Sequence, residues 1–178
     1  MLPAYAELHC LSNFSFLRGA SHPEELVERA SAQGYAALAI TDECSFSGIV
    51  RAHLAAKHAG LPLVIGSEVM LDAGTKLVLL ATDRASYGNL AQLITRGRRS
   101  AVKGTYALTR ADVAALAEGL LALWVPSAEM GPGSRERATR ATPSAPDLET
   151  MADWVAATFP QRAWIAVELT VRAGDRAR

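Results

Sequence analysis

GYAALAITDECSFSGIVRAHLAAKHAGLPLVIGSEVML, residues 34–71, decides the fold. Tyr35 to Ile40 is a short, almost wholly apolar run, the pattern of a strand buried on both faces. Thr41-Asp42-Glu43 closes it. A helical pattern follows from about Phe46 to His58, and Gly60 and Pro62 stop it. Extended chain resumes at residues 63–65 and, after a Gly66-Ser67 break, at residues 68–71.

The same alternation extends outward. Residues 5–11 predict a first strand. Ser21-His22-Pro23-Glu24 predicts a helix start, with Ser21 as N-cap, Glu24 completing a capping box and Pro23 in the first turn. That helix buries Leu26, Val27 and Ala30, and Gly34 ends it. Downstream, residues 76–81 predict a fourth strand and residues 86–99 a helix with Leu90, Leu93 and Ile94 on one face. Thr109 caps another helix, with Asp112 three residues on. Residues 120–125 predict a fifth strand, residues 147–158 a helix and residues 163–169 a sixth strand. Strands and helices joined by short connectors in a βαβαβ order predict an α/β fold, a parallel sheet or barrel with helices outside. Residues 130–146 (MGPGSRERATRATPSAP) have almost no large apolar side chain and read as an exposed, mobile loop.

Composition narrows the function. The chain has 178 residues, enough for one domain or part of a larger one. Lys plus Arg and Asp plus Glu both number 18, so the net charge is zero. A free-standing DNA-binding module is usually basic, because phosphate neutralisation supplies most of its affinity. Cys10 and Cys44 form no CxxC pair, which excludes a zinc ribbon and reads as two reduced thiols. The start, MLPAYAELHC, lacks the basic and apolar regions of a signal peptide, and runs such as LVLLA at residues 77–81 are too short to cross a bilayer. A cytoplasmic protein without membrane contact is the expectation. No P-loop, GxSxG or dinucleotide fingerprint is present.

In βα architectures chemistry gathers where strands end. His9 lies near the end of the first strand, Asp42 and Glu43 follow the second, and Glu68 lies in the third. An imidazole and several carboxylates at one barrel mouth could hold divalent metal and activate water against a phosphoester. Taken singly, His9 reads more readily as a hydrogen-bonded structural residue, and Thr41-Asp42 equally well as a turn or helix cap. His22, His53 and His58 read as surface groups, and Trp124, Trp154 and Trp164 as core. The basic run RGRRSAVKG at residues 96–104 reads as a solvated helix end, with contact to DNA phosphate or another domain as the alternative.

Several blocks in fixed order carry a resemblance: YAELHCLSNFSFLRGASHPEELVERA (residues 5–30), GYAALAITDECSFSGIVRAH (34–53), GLPLVIGSEV (60–69), KLVLLATDRASYGNLAQLITRGRR (76–99), KGTYALTRADV (103–113) and AWIAVEL (163–169). Together they resemble the N-terminal PHP domain of error-prone bacterial C-family DNA polymerases, paralogues of the replicative polymerase III alpha subunit. The resemblance implies a PHP-type irregular (β/α)₇ TIM-like barrel spanning residues 1–178, truncated and not closed because about six strands are visible, with palm, fingers and later domains absent. An open strand edge of this kind invites aggregation.

The family's motifs are altered here. Leu-His-x-His-Ser reads Leu8-His9-Cys10-Leu11-Ser12, so His9 matches and the second His is Leu11. A family carboxylate in a Leu-Asp-Gly context is Arg18, in Leu17-Arg18-Gly19. Thr-Asp-His reads Thr41-Asp42-Glu43, and Glu68 matches the glutamate of Gly-x-Glu. The resemblance therefore implies a degenerate metal site of His9, Glu43 and Glu68, with Asp42 as a further candidate, and with Arg18 pairing with Glu43 or Glu68 in place of an ion. Zn²⁺ or Mn²⁺ binding is expected to be weak or absent, and the domain mainly structural.

For the parent polymerase the resemblance implies Mg²⁺-dependent nucleotide addition to a DNA primer in translesion synthesis and repair. Its implied partners are DNA and dNTPs, the remainder of the polymerase, a sliding clamp and mutasome accessory proteins. The alternatives are a free-standing PHP phosphoesterase and a non-catalytic interaction module.

Overall fold

A computed structural model describes residues 4–71, 74–126 and 148–167. The elements are β1 (Ala6–Cys10), α1 (Pro23–Ala32), β2 (Ala37–Ile40), α2 (Ile49–Ala59), β3 (Leu63–Met70), β4 (Lys76–Ala81), α3 (Arg84–Arg99), α4 (Arg110–Ala115), β5 (Leu120–Val125), α5 (Leu148–Thr158) and β6 (Ala163–Ile165). The loop expected at residues 130–146, and the end of the predicted sixth strand, lie outside the described residues.

The six strands form one sheet in sequential order, β1 to β6. β1, β2 and β3 are parallel, as are β5 and β6. The expectation of a wholly parallel sheet is corrected at β4, which runs antiparallel to both β3 and β5. Connection length explains it. A parallel crossover needs a dozen residues or more, and only residues 71–75 separate β3 from β4. Leu71 N–H donates to the Thr75 carbonyl and Gly74 N–H to the Leu71 carbonyl, both at 2.9 Å.

Helices cover one face of the sheet. α1 and α2 bury Val27, Ala30, Ala52 and Ala56 against Leu38 and Ile40 of β2. α3, α4 and α5 bury Leu90, Leu93, Val113, Met151 and Val155 against Val69, Leu77, Leu79 and Trp124. The other face is concave and packs on itself, with Ala39, Val78, Leu80 and Val125 buried. The sheet thus curls as an open barrel wall, and β1 and β6 stand at its two edges. Trp164, expected in the core, is 53% exposed on the outermost strand.

The expected break at Gly66-Ser67 is a change of partner within a continuous strand. Leu63 to Ile65 pair with β2, and Gly66 to Met70 pair with β4. Gly66 is needed because β4 comes close: a Cβ there would sit 2.6 Å from Leu80 Cδ2 and 2.7 Å from the Leu79 carbonyl.

Helix starts also shift. α1 is capped at His22, with Glu25 accepting from His22 N–H at 2.7 Å, so the box lies one residue after the expected Ser21 and Glu24. Pro23 then takes the first helical position, where its missing N–H costs nothing. α2 starts at Ile49 instead of Phe46, behind Gly48. α3 starts at Arg84, and Ser86, expected as its first residue, donates its N–H to the Asp83 cap at 2.7 Å. The Thr109 cap with Asp112 stands where expected.

We expect Gly66→Ala to destabilise the fold by about 1–3 kcal/mol through overpacking. Gly88→Ala, inside α3 with nothing near its open side, should stabilise by about 0.5–1 kcal/mol through helix propensity. Urea midpoints of the two variants moving in the same direction would contradict this account of the β3 crossing.

Candidate functional site

The site lies on the concave face, at the rim where β1, β2 and β3 end and β4 begins. Three local features place its side chains. A register shift between Glu7 and Cys10 of β1 sets His9 toward Glu68. The chain after β2 stays alongside β3: Glu43 bridges to Glu68, and Cys44 N–H donates to the Glu68 carbonyl at 2.8 Å. Glu68 pairs with Val78 of the concave face, so its carboxylate points inward, fully buried.

The loop after β1 supplies the cation. Asp42, 1% exposed, is its anchor. It accepts from Ser12 N–H at 2.8 Å, Ser12 Oγ at 2.7 Å and Ser15 Oγ at 2.7 Å. Ser15 Oγ in turn accepts from Glu43 N–H at 2.9 Å. The chain doubles back through Leu17, at φ 61°, and passes Ser12 so closely that a Cβ on Gly19 would sit 2.1 Å from the Ser12 carbonyl oxygen. A left-handed leucine is strained, and such strain persists only where surrounding bonds over-determine the chain. Here they aim Arg18 inward.

The Arg18 guanidinium joins two carboxylates. It donates to Glu43 Oε2 at 2.8 Å, to Glu68 Oε1, and to Glu68 Oε2 at 3.0 Å. His9 Nε2 meets Glu68 Oε2 at 2.7 Å, and Lys76 Nζ stands 3.9 Å from the same oxygen. Burial alone would push the Glu68 carboxyl up. The hydrogen bonds from His9 and Arg18, with the charges of Arg18 and Lys76, outweigh it and bring the group from 4.5 down to about 2. The Glu68 hydrogen bond likewise holds the Arg18 guanidinium protonated well above its ordinary range.

The structure therefore brings His9, Arg18, Glu43 and Glu68 together. The oxygens of Asp42, the further candidate, accept from the loop serines. Among the described residues no group of three or more His, Cys, Asp or Glu is arranged to hold a metal ion. Three participants escaped the sequence reading. Lys76 is one; its place two residues before Val78 and four before Leu80 puts it on the concave face, a signal that strand alternation carries. Tyr106 donates its hydroxyl to Glu43 Oε1 and accepts from Met70 N–H, both at 2.9 Å. Arg98 donates to the Glu43 and Cys44 carbonyls, each at 3.1 Å, and its guanidinium lies 5.3 Å over the Tyr106 ring. The basic run at the end of α3 is thus partly a clamp on the loop after β2, and not simply a solvated helix end. Beside Glu43, a cavity of about 330 Å³ is lined by Met70, Leu71, Tyr106, Ala107 and Leu108.

The family model for the PHP domain matches residues 7–170. The chain belongs to the PHP domain family. This PHP domain is 54% identical over 182 residues to the error-prone DNA polymerase of Dechloromonas aromatica, 53% over 175 residues to that of Methylococcus capsulatus and 51% over 177 residues to that of Pseudomonas aeruginosa. Those matches cover 98–99% of the chain but only 15–16% of the relatives' own length. Among solved structures, a Bifidobacterium adolescentis protein assigned as a metal-dependent phosphoesterase aligns with a TM-score of 0.60 at 17% identity, over 86% of this chain and 75% of its own. At that identity the likeness speaks to fold, and it agrees with an open, TIM-like PHP barrel.

We expect Arg18→Ala to cost about 2–3 kcal/mol, less than the ~3–5 of a fully buried pair because Arg18 is partly exposed. The Glu68 carboxyl titrates lower in the folded chain than in the unfolded one. Its ionised form therefore stabilises fully above about pH 4.5, and that contribution is lost as pH falls towards 2. Wild type and Glu68→Gln should differ most at neutral pH and converge near pH 2 in chemical denaturation. Stability profiles that stay parallel across that window would contradict the assignment.

Proposed function

We propose that this chain is the PHP domain of an error-prone C-family DNA polymerase, and that it serves there as a structural and docking domain. The observation that carries this is sequence identity of 54% over 99% of the chain to a polymerase of which it spans 16%. On this reading, primer extension across damaged DNA, with its Mg²⁺, dNTPs and template, belongs to polypeptide beyond this domain. A sliding clamp and accessory proteins would be met by the assembled polymerase, in the cytoplasm. No helix among the described residues is long and apolar enough to cross a membrane.

His9, Glu43 and Glu68 are read as the remains of a PHP metal centre. The family's chemistry implies Zn²⁺ or Mn²⁺ there, but the side chains do not fit such an ion. Arg18 already occupies Glu43 Oε2 and both Glu68 oxygens. A fixed positive charge repels a divalent cation, and Leu11 offers no lone pair. A docking role is supported by apolar side chains displayed on a rigidly tied loop, Phe16 at 83% and Leu17 at 88% exposure, and by Ile165 at 65% on the edge strand. Their occupant on this reading is the rest of the polymerase.

The likeness to the phosphoesterase fold keeps a second reading, a free-standing PHP hydrolase. Substituting this chain for the matched region of the Dechloromonas aromatica polymerase discriminates between them. We expect the chimera to extend a primer past a lesion. The isolated chain should release no phosphate from p-nitrophenyl phosphate with Mn²⁺ or Zn²⁺. A folded but inactive chimera, together with metal-dependent turnover by the chain alone, would overturn the proposal in favour of the hydrolase.

A further inference from the structure

Residues 84–111 hold six cations, Arg84, Arg96, Arg98, Arg99, Lys103 and Arg110, and no carboxylate, in a chain whose net charge is zero. Arg98 is engaged by the loop after β2. Leu90, Leu93 and Gly97 are the buried side of α3. Gln92, Arg96 and Arg99 follow the i, i+4, i+7 spacing of a different, exposed face. An open recess of about 500 Å³ runs along it, lined by Ala91, Gln92, Thr95, Arg96, Arg99 and Ser100. Thr95 and Ser100 turn their hydroxyls back onto the Ala91 and Arg96 carbonyls, each at 2.8 Å. The donors left are cationic or amide. Arg96 meets Asp112 through one nitrogen at 3.2 Å and keeps its other N–H groups. Among the described residues neither Arg99 nor Lys103 has an ion-pair partner, and both are exposed. Lys103 stands in the turn after α3, which Thr105 closes by donating its N–H and hydroxyl to the Val102 carbonyl at 3.0 and 2.8 Å.

We propose that this outer face of α3, with Arg96 and Arg99 on the helix and Lys103 in the turn that follows, is a contact surface for the sugar–phosphate backbone of duplex DNA. The proposal rests on the reading above of the chain as a domain of a DNA polymerase. Cations in a last helical turn also favour the helix dipole, but that effect fades within the turn. It calls neither for Lys103 beyond the helix nor for the lack of any acid from residue 84 to 111. The chemistry of the face selects the partner. Backbone phosphates are held by Arg, Lys and side-chain amides, which are the free donors here. A protein partner is met by a buried apolar and aromatic centre, and a single strand by aromatic side chains on which bases stack. Among the described residues no aromatic, large apolar or acidic side chain lines the recess. Nothing there reads base edges either, so the contact is independent of sequence. With the chain neutral as a whole, such a surface adds a local grip on DNA that other parts of a polymerase already hold.

Fluorescence anisotropy of a labelled DNA duplex of about 20 base pairs, titrated with the 178-residue chain, tests this. Wild type should bind with a Kd of about 10–100 µM in about 20 mM salt, and log K should fall against log salt with a slope of about −2 to −3, as for three phosphate contacts. Arg99→Glu/Lys103→Glu should weaken binding about tenfold or more and flatten the slope towards about −1. Arg29→Glu/Lys57→Glu makes the same change in net charge at exposed positions on α1 and α2 and should leave Kd within about twofold. Should the first variant misfold by circular dichroism, Arg99→Gln/Lys103→Gln carries the same test, with a loss of about threefold or more. No binding up to about 0.5 mM wild-type chain overturns the proposal, as do equal losses in the two charge-reversal variants or no loss in the α3 variant. A single strand of the same length that binds more tightly than the duplex overturns the duplex assignment. Poly-glutamate that displaces the duplex at equal charge concentration overturns it in favour of an acidic protein partner. The lesion-bypass test of the chimera is read separately: binding by the chain with an inactive chimera would count against the polymerase reading, and bypass without binding against this surface alone.

Discussion

The rim of this domain is organised by the charge on one buried carboxylate. Glu68 is fully buried, and an uncompensated ion there would cost several kcal/mol. It is compensated from three directions in the chain: His9 from β1, Arg18 from the loop after it and Lys76 from β4. The elements that carry these groups are held in place by the same pairing. The strained turn at Leu17, the serine cage around Asp42 and the close pass of Gly19 over Ser12 all serve to bring Arg18 to that oxygen pair.

A second layer supports the first. Glu43 reaches Arg18 with one oxygen and Tyr106 with the other. Tyr106 fixes Met70, at the turn into β4, and carries Arg98 over its ring. Arg98 returns to the backbone of Glu43 and Cys44. The connection from β2 to α2, the end of β3 and the end of α3 are therefore joined through polar side chains. A metal centre could tie the same segments together. Here protein cations do so, without dependence on metal supply or on the deprotonation that metal ligands require.

Much of this was legible before any coordinates. The apolar runs at β1, β2, β4 and β5 have the length and composition of strands; His9 and Glu43 lie at or beside strand ends and Glu68 lies within β3, two residues before its end, so their convergence follows from the architecture. Arg18 was legible only through the family motif it departs from. The direction of β4 was not read, because alternation records which face a residue takes and not which way the chain runs, although the five residues before Lys76 already excluded a crossover. The α1 cap was misplaced by one residue because Ser21/Glu24 and His22/Glu25 share the same spacing; Pro23 at the first helical position decides between them. Tyr106 and Arg98 reach partners 63 and 54 residues away, a contact that no local pattern announces.

The claim at the centre is that Glu68 is neutralised by Arg18 and Lys76 and not by a bound ion. Anomalous diffraction at the manganese edge, from crystals of the wild-type domain soaked in Mn²⁺, measures this directly. The account predicts no anomalous peak among His9, Glu43 and Glu68, with the Arg18 guanidinium in place between the two carboxylates. A fully occupied peak at that position, with Arg18 swung away, would contradict it.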